Sequence, residues 1–230
     1  MIFDKGGRRM SSKEHLVFCL PGNNISLKAR ESWTLMVINC MANAHKLDFS
    51  GKYTPIVHTT RSQIVGGNWR EGKDQKPFKG ELDYNHMVWI DSDQTPYAYA
   101  QVKRLIDHKK DIVAGWYATA SMTHSCICEN MDTEFRKKEG RWPLMKIEEV
   151  EKRKEIFEAD FVGFGFIVIK RGVFEKLGYP WFTPIPRTEH NEIMTLSGED
   201  EAFCIRAKKA GFKVWIDPTV RVGHEKTYIV

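Results

Sequence analysis

The chain has 230 residues, 42% hydrophobic and 12% aromatic, enough to bury one sizeable core and short for two domains. That composition excludes a disordered or low-complexity chain. Lys and Arg number 35 against 30 Asp and Glu, a net charge of +5, with a pI of about 8.9. So mild an excess fits an anionic partner without requiring one, because a solvated Lys-rich surface accounts for it equally well.

No apolar run reaches the ~18–20 residues of a membrane helix. "MIFDKGGRRMSSKEH" carries charge but no apolar stretch, so it does not read as a secretory signal. The five cysteines (Cys19, Cys40, Cys126, Cys128, Cys204) are odd in number and lack repeat spacing, as expected of reduced thiols in a cytoplasmic protein. "HSCIC" brings His124, Cys126 and Cys128 together, but no second Cys/His pair stands at zinc-ligand spacing; they read as ordinary loop thiols.

In chain order, "HLVFCL" (15–20) predicts a buried strand closed by the turn "PGNN". Ser26 can cap a helix running to about Asn43. "YTPIVHTT" (53–60) predicts a second strand, "RSQIVGGNW" a short helix or turn, and 70–83 a surface loop. "HMVWI" is apolar on both faces, as a central strand of a covered parallel sheet is. A helix over 98–108 and a buried strand "DIVAGWY" (111–117) follow, the alternation of an α/β domain. Residues 124–158 are charged, with "EEVEKRKEIFE" helical, and read as an insertion or mobile flap on the acceptor side rather than core. "ADFVGFGFIVIK" (159–170) reads as a strand, "RGVFEKLG" as a short helix ended by Gly178, and "GEDEAFCIRAKKAG" as a helix with acids at its start and Gly211 at its end. "KVWIDP" is the last strand. No repeat or linker interrupts the chain, so residues 1–230 form one domain.

Asp91 and Asp93 end the strand "MVWI". Ligands of open α/β sheets collect beyond the carboxyl ends of strands, and residues i and i+2 of an extended chain point the same way. Two like charges together call for a cation, and a hard divalent ion, Mg²⁺ or Mn²⁺, takes oxygen ligands and bridges them to phosphates. The bland alternative is a pair of loop or capping acids. His224, after the final strand in "RVGHEK", offers a nitrogen ligand. "SGED" (197–200) adds carboxylates at a helix start, where capping explains Ser197 and one acid but not both Glu199 and Asp200.

In order, "VFCLPGNN", "WIDSD", "DIVAGWY", "FVGFGFIVIKRGVFEKLGYPWF" and "SGEDEAFCIRAKKAGFKVWIDPTVRVGHEK" resemble a GT-A-fold glycosyltransferase of the broad family-two-like type with small soluble phage and bacterial members. The resemblance covers His15 to Lys226. It implies a single GT-A domain: a Rossmann-like nucleotide-binding half with a mostly parallel mixed central sheet flanked by helices. It implies transfer from a nucleotide-diphosphate sugar, a UDP-sugar favoured, to a hydroxyl acceptor such as a glycan or a hydroxymethylated DNA base. Pro21, Gly22 and Asn23 would shape the nucleotide site, with Arg61 near the diphosphate. Asp91 would sit by the ribose or a metal-bound water, Ser92 beside it, and Asp93 and His224 would hold Mn²⁺ or Mg²⁺. Gly163 and Gly165 would let backbone approach the sugar. Asp200 matches the base of inverting members, with Glu199 beside it.

Two rivals come from other classes. "WIDSDQTP" also fits a haloacid-dehalogenase-type phosphatase with Asp91 as nucleophile and Asp93 as acid/base. Against it, the motif comes late in the chain and no downstream Ser/Thr and Lys pair is evident. A basic nucleic-acid-binding module is the other, but Lys and Arg from 136 to 154 alternate with Glu, as on a salt-bridged helix face.

Overall fold

The computed structural model describes residues 14–189 and 193–226; all but the last two residues of the N-terminal stretch weighed above as a signal lie outside them. The first strand, β1 (His15–Pro21), is buried over its first five residues. Helix α1 (Leu27–Ala42) begins where the Ser26 side chain accepts the Ala29 N–H at 3.1 Å, the capping that serine supplies best. Strand β2 (Lys46–Lys52) and helix α2 (Val57–Ile64) follow. They correct the expected strand over 53–60. The strand lies earlier, in the polar stretch "KLDFSGK" at a sheet edge, where little side-chain burial is needed. The β-branched residues of α2 are drawn into a helix by the burial of Thr60, Arg61 and Ile64, tertiary packing overriding local preference.

Strand β3 (His86–Ile90), helix α3 (Tyr99–Asp107) and strand β4 (Ile112–Trp116) match expectation, and both strands are buried at every residue. Next come strand β5 (Ile127–Cys128), helices α4 (Thr133–Glu139) and α5 (Ile147–Glu151), and strand β6 (Phe157–Ala159). The stretch 159–170 is two strands, β7 (Phe161–Val162) and β8 (Phe166–Lys170), parted at Gly163–Gly165. Helix α6 (Val173–Leu177) ends at Gly178, as expected. A small hairpin of β9 (Pro186–Glu189) and β10 (Ile193–Leu196), helix α7 (Glu199–Lys209) and strand β11 (Val214–Arg221) complete the fold.

Among the described residues, seven strands form the central sheet in the order β2-β1-β3-β8-β4-β11-β6. Strands β1, β2 and β3 are mutually parallel, as are β4 and β11, while β8 runs antiparallel between β3 and β4 and β6 antiparallel beside β11. The ends of β1, β3, β4 and β11 therefore share one sheet edge with the start of β8. Chain segments distant in sequence converge there.

Residues 124–158 are not a separate flap. They supply β6 to the sheet and place Cys126, Ile127, Cys128, Trp142, Met145 and Val150 in the main core. Trp142 is buried, donates Nε1–H to Glu201 at 3.0 Å and lies under the guanidinium groups of Arg136 and Arg187. Trp142→Ala should therefore destabilise the domain by about 3–5 kcal/mol in urea unfolding, the range for a buried aromatic. A loss within about 0.5 kcal/mol, as at an exposed surface site, would return the segment to the status of a flap.

Candidate active site

The loop after β1 opens the site. Gly22 holds φ at +131°, and a Cβ there would lie 2.5 Å from Ser92 Oγ, so only glycine lets the loops after β1 and β3 touch. A cavity of about 250 Å³ lies between them. Of the residues expected around a nucleotide, it gathers Pro21, Gly22, Asn23, Asp91 and Ser92, and it adds Trp33, Gln94 and Tyr97.

The two aspartates part company, contrary to the expectation that both face one site. The chain leaves the extended form after Ile90: Gln94 N–H closes a turn onto the Asp91 carbonyl at 3.0 Å. Asp91 receives both terminal nitrogens of Arg61, at 3.0 and 2.9 Å, and Arg61 Nε reaches Glu199 at 3.2 Å. Arg61 is buried, and its guanidinium lies over the rings of Trp89 and Phe164. Burial works against its charge, but Asp91 and Glu199 outweigh it and hold the pKa above the ordinary value. Arg61 thus braces Asp91 and Glu199 from below.

Asp93 turns the other way. Its Oδ2 lies 3.1 Å from His224 Nε2 and 2.6 Å from Lys226 Nζ. Two backbone bonds fix the meeting, Thr95 N–H to Gly223 O at 3.0 Å and Glu225 N–H to Asp93 O at 2.8 Å. A Cβ at Gly223 would overlap the Thr95 carbonyl, so glycine here allows the two loops to pair. Burial raises the Asp93 pKa, yet hydrogen bonds from His224 and Lys226 prevail and bring it down to about 2. His224 Nδ1 lies 2.8 Å from the Ala118 carbonyl, which orients Nδ1 as the donor and turns Nε2 toward Asp93. Burial lowers the His224 pKa, but Asp93 and that carbonyl leave it net raised. Among the described residues no group of three or more His, Cys, Asp or Glu stands ready as a metal cage.

Asp200 lies in the first turn of α7 beside Glu199. Its Oδ1 accepts the Glu201 N–H at 2.7 Å. Enclosure by protein, then the neighbouring Glu199 charge, push its pKa up to about 6 against the opposing pull of that N–H and Arg61.

No protein-family model and no curated protein matches the chain. Among solved structures, A197 from STIV is similar over 94% of this chain and 96% of its own, at 15% identity and a TM-score of 0.53. GalNAc-T7, crystallised with UDP, GalNAc and Mn²⁺, is similar over 92% of this chain, at 12% identity and a TM-score of 0.50. The chain has a GT-A fold. It spans 44% of the GalNAc-T7 chain.

On this GT-A sheet Gly163 and Gly165 stand before β8, but the space a side chain would take is filled. At Gly163 a Cβ would overlap the Tyr117 hydroxyl, and at Gly165 it would lie 2.7 Å from the Tyr117 ring and 2.8 Å from Gln94 Nε2. Close packing of Tyr117 and Gln94 therefore explains both glycines, in place of the expected approach to a sugar. Cys126 and Cys128 of "HSCIC" are buried free thiols of the core. Tyr117, the last residue of "GWY" and by type a candidate aromatic wall or core ring, stands with its ring 4.8 Å edge-on to His224; Lys226 and Gln94 are the residues that sequence reasoning missed. Gly223, directly before His224, and Gly163 and Gly165, against Tyr117 and Gln94, carried the signal of close approach.

The Arg61 arrangement predicts an asymmetric response to substitution. Arg61→Met leaves two carboxylates facing each other uncompensated and should lower stability by about 3–5 kcal/mol. Arg61→Lys should recover only part of it, since an ammonium cannot reproduce the forked contact to Asp91 while reaching Glu199. Full recovery by lysine in denaturant titrations would show that charge alone, without the fork, holds these groups.

Proposed function

We propose that the chain is a metal-dependent glycosyltransferase that moves a sugar from a nucleotide-diphosphate sugar, a UDP-sugar in the first instance, to a hydroxyl acceptor. The observation that carries this reading is the meeting of Asp93 and His224 at 3.1 Å, with Ser92 and Gln94 on either side of Asp93 lining a cavity of about 250 Å³, at the sheet edge where open α/β folds take ligands. GalNAc-T7, of the same fold, was crystallised with UDP, GalNAc and Mn²⁺.

The residues present fit such an ion. A carboxylate oxygen and an imidazole nitrogen oriented by a carbonyl are suitable ligands for Mn²⁺, and a divalent ion bound this way completes its shell with substrate phosphates. Bound there, it would act as a Lewis acid on the departing diphosphate. Lys226, already on Asp93, adds positive charge on the same side.

The chain's own groups supply the rest. The loop after β1 and the loop after β3 enclose the nucleoside. Asp91 is held by Arg61 and so keeps the turn that aims Asp93. Asp200 takes the proton from the acceptor hydroxyl as it attacks, giving an inverted product. With a pKa of about 6 it is mostly ionised at neutral pH yet basic enough to accept a proton. A glycan or a hydroxymethylated DNA base supplies that hydroxyl; the net charge of +5 is compatible with the DNA acceptor. The phosphatase alternative asks Asp91 to be a free nucleophile, whereas both its oxygens are taken by Arg61.

Release of nucleoside diphosphate from sugar nucleotides tests the role of Asp200. Asp200→Asn should lower kcat by about 10²–10⁴-fold and abolish the fall of wild-type kcat/KM below a pH of about 6. It should also raise the melting temperature at pH 7. A carboxyl lifted from 3.8 to about 6 on folding disfavours the folded state increasingly between those values and fully above them. An active Asp200→Asn enzyme with an unchanged acid limb would remove Asp200 from the chemistry.

A further inference from the structure

One oxygen of Asp93 serves two partners. His224 Nε2 lies 3.1 Å from Oδ2, and Lys226 Nζ lies 2.6 Å from the same atom. The oxygen that faces the candidate nitrogen ligand therefore also carries an ammonium. The backbone delivers the lysine there: Glu225 N–H binds the Asp93 carbonyl at 2.8 Å, one residue before Lys226.

An ammonium and a divalent ion held by the same carboxylate oxygen would repel each other at close range. An ion bound by Asp93 and His224 therefore requires Lys226 to leave Oδ2. The side chain is free to do so, being 35% exposed on a flexible four-carbon stem. It borders a cavity of about 330 Å³ between the loops after β4 and β11, which Thr119, Arg221 and His224 also line. A divalent ion with few protein ligands completes its shell with substrate phosphates, which offer the departing ammonium a new anionic partner.

We propose that Lys226 couples the ion to the diphosphate: it competes with the ion for Asp93 and, once displaced, binds the diphosphate that the ion carries. The proposal rests on the metal-dependent reading above. An ion arriving alone breaks the Lys226 pair and leaves the ammonium without its carboxylate. An ion arriving with the diphosphate exchanges one anionic partner of Lys226 for another. By linkage, each of the two ligands then tightens the other by the same factor. Arg221 supplies a comparison within the same cavity, because its Nη1 is engaged by Glu151 at 2.6 Å and not by Asp93.

Two titrations of wild type, Lys226→Met and Arg221→Met test this. Mn²⁺ alone is followed by the paramagnetic resonance of the free ion, and preformed manganese pyrophosphate, a diphosphate without a base, by calorimetry. Lys226→Met should bind Mn²⁺ alone at least about fivefold more tightly and manganese pyrophosphate at least about fivefold more weakly, the lower end of ordinary coupling. Arg221→Met should keep its affinity for Mn²⁺ alone within about twofold of wild type, an exposed pair away from Asp93 being largely screened. If Lys226→Met leaves either affinity unchanged, or moves both in the same direction, the exchange is overturned while the metal site stands. An equal gain for Mn²⁺ alone in Arg221→Met would also overturn it, assigning the effect to the charge of the whole loop. Failure of wild type to bind Mn²⁺ in either form would overturn it together with the metal-dependent reading.

Discussion

Arg61 is the group on which the site depends. One buried guanidinium joins α2, the turn after β3 and the start of α7 by binding Asp91 in a fork and Glu199 through Nε. Its flat faces lie against Trp89 and Phe164. Removing charge from water is unfavourable unless partner geometry compensates, and here three ionic groups do so mutually. With Asp91 committed to Arg61, Asp93 is left to meet His224 and Lys226. With Glu199 committed to Arg61 and Glu201 to Arg187, Asp200 is held by a backbone N–H and no ion pair among the described residues, and the Glu199 charge beside it contributes to its raised pKa.

The sheet turns that local arrangement into a shared site. Because β8 runs against its neighbours, its leading glycines arrive at the same edge as the ends of β1, β3, β4 and β11. The middle of β11 is pinned in turn: buried Asp217 accepts from Arg104 of α3 at 2.6 Å and from Thr219 at 2.9 Å, and lies 2.7 Å from His108. His224 lies three residues beyond β11, in a loop that pairs with residues 93–95. Two backbone hydrogen bonds, and not the acids themselves, set the distance between the candidate metal ligands.

Much of this was legible in the sequence, and the failures have physical causes. Strands β3 and β4 are buried on both faces and announce themselves as apolar runs; α1 and α7 carry the Ser26 cap and the acidic start that helices require. Strand β2 was missed because an edge strand needs few buried side chains. Helix α2 was missed because Thr59, Thr60 and Val57 favour a strand locally. The buried residues of 124–158 are interleaved with charge, so the stretch looks like surface although Trp142 and Val150 lie in the core. For the site, the sequence identifies Asp91, Asp93, Asp200 and His224 as residue types suited to the chemistry. It does not show that Arg61, thirty residues earlier, claims Asp91, nor that Tyr117 takes the space beside Gly163. Those are long-range contacts with no local signature.

In the proposed reaction Asp93 and His224 hold a divalent ion against a nucleoside diphosphate. The most direct measurement is thermal stabilisation by UDP, GDP, CDP, dTDP and ADP, each with and without Mn²⁺, on wild type and on Asp93→Ala. A ligand at about 100 times its dissociation constant stabilises the folded state by about 2.7 kcal/mol, a shift readily seen. At least one diphosphate should stabilise wild type only when Mn²⁺ is present, and Asp93→Ala should lose the effect. Stabilisation by none of them, or stabilisation that ignores both Mn²⁺ and Asp93→Ala, would contradict that role for Asp93.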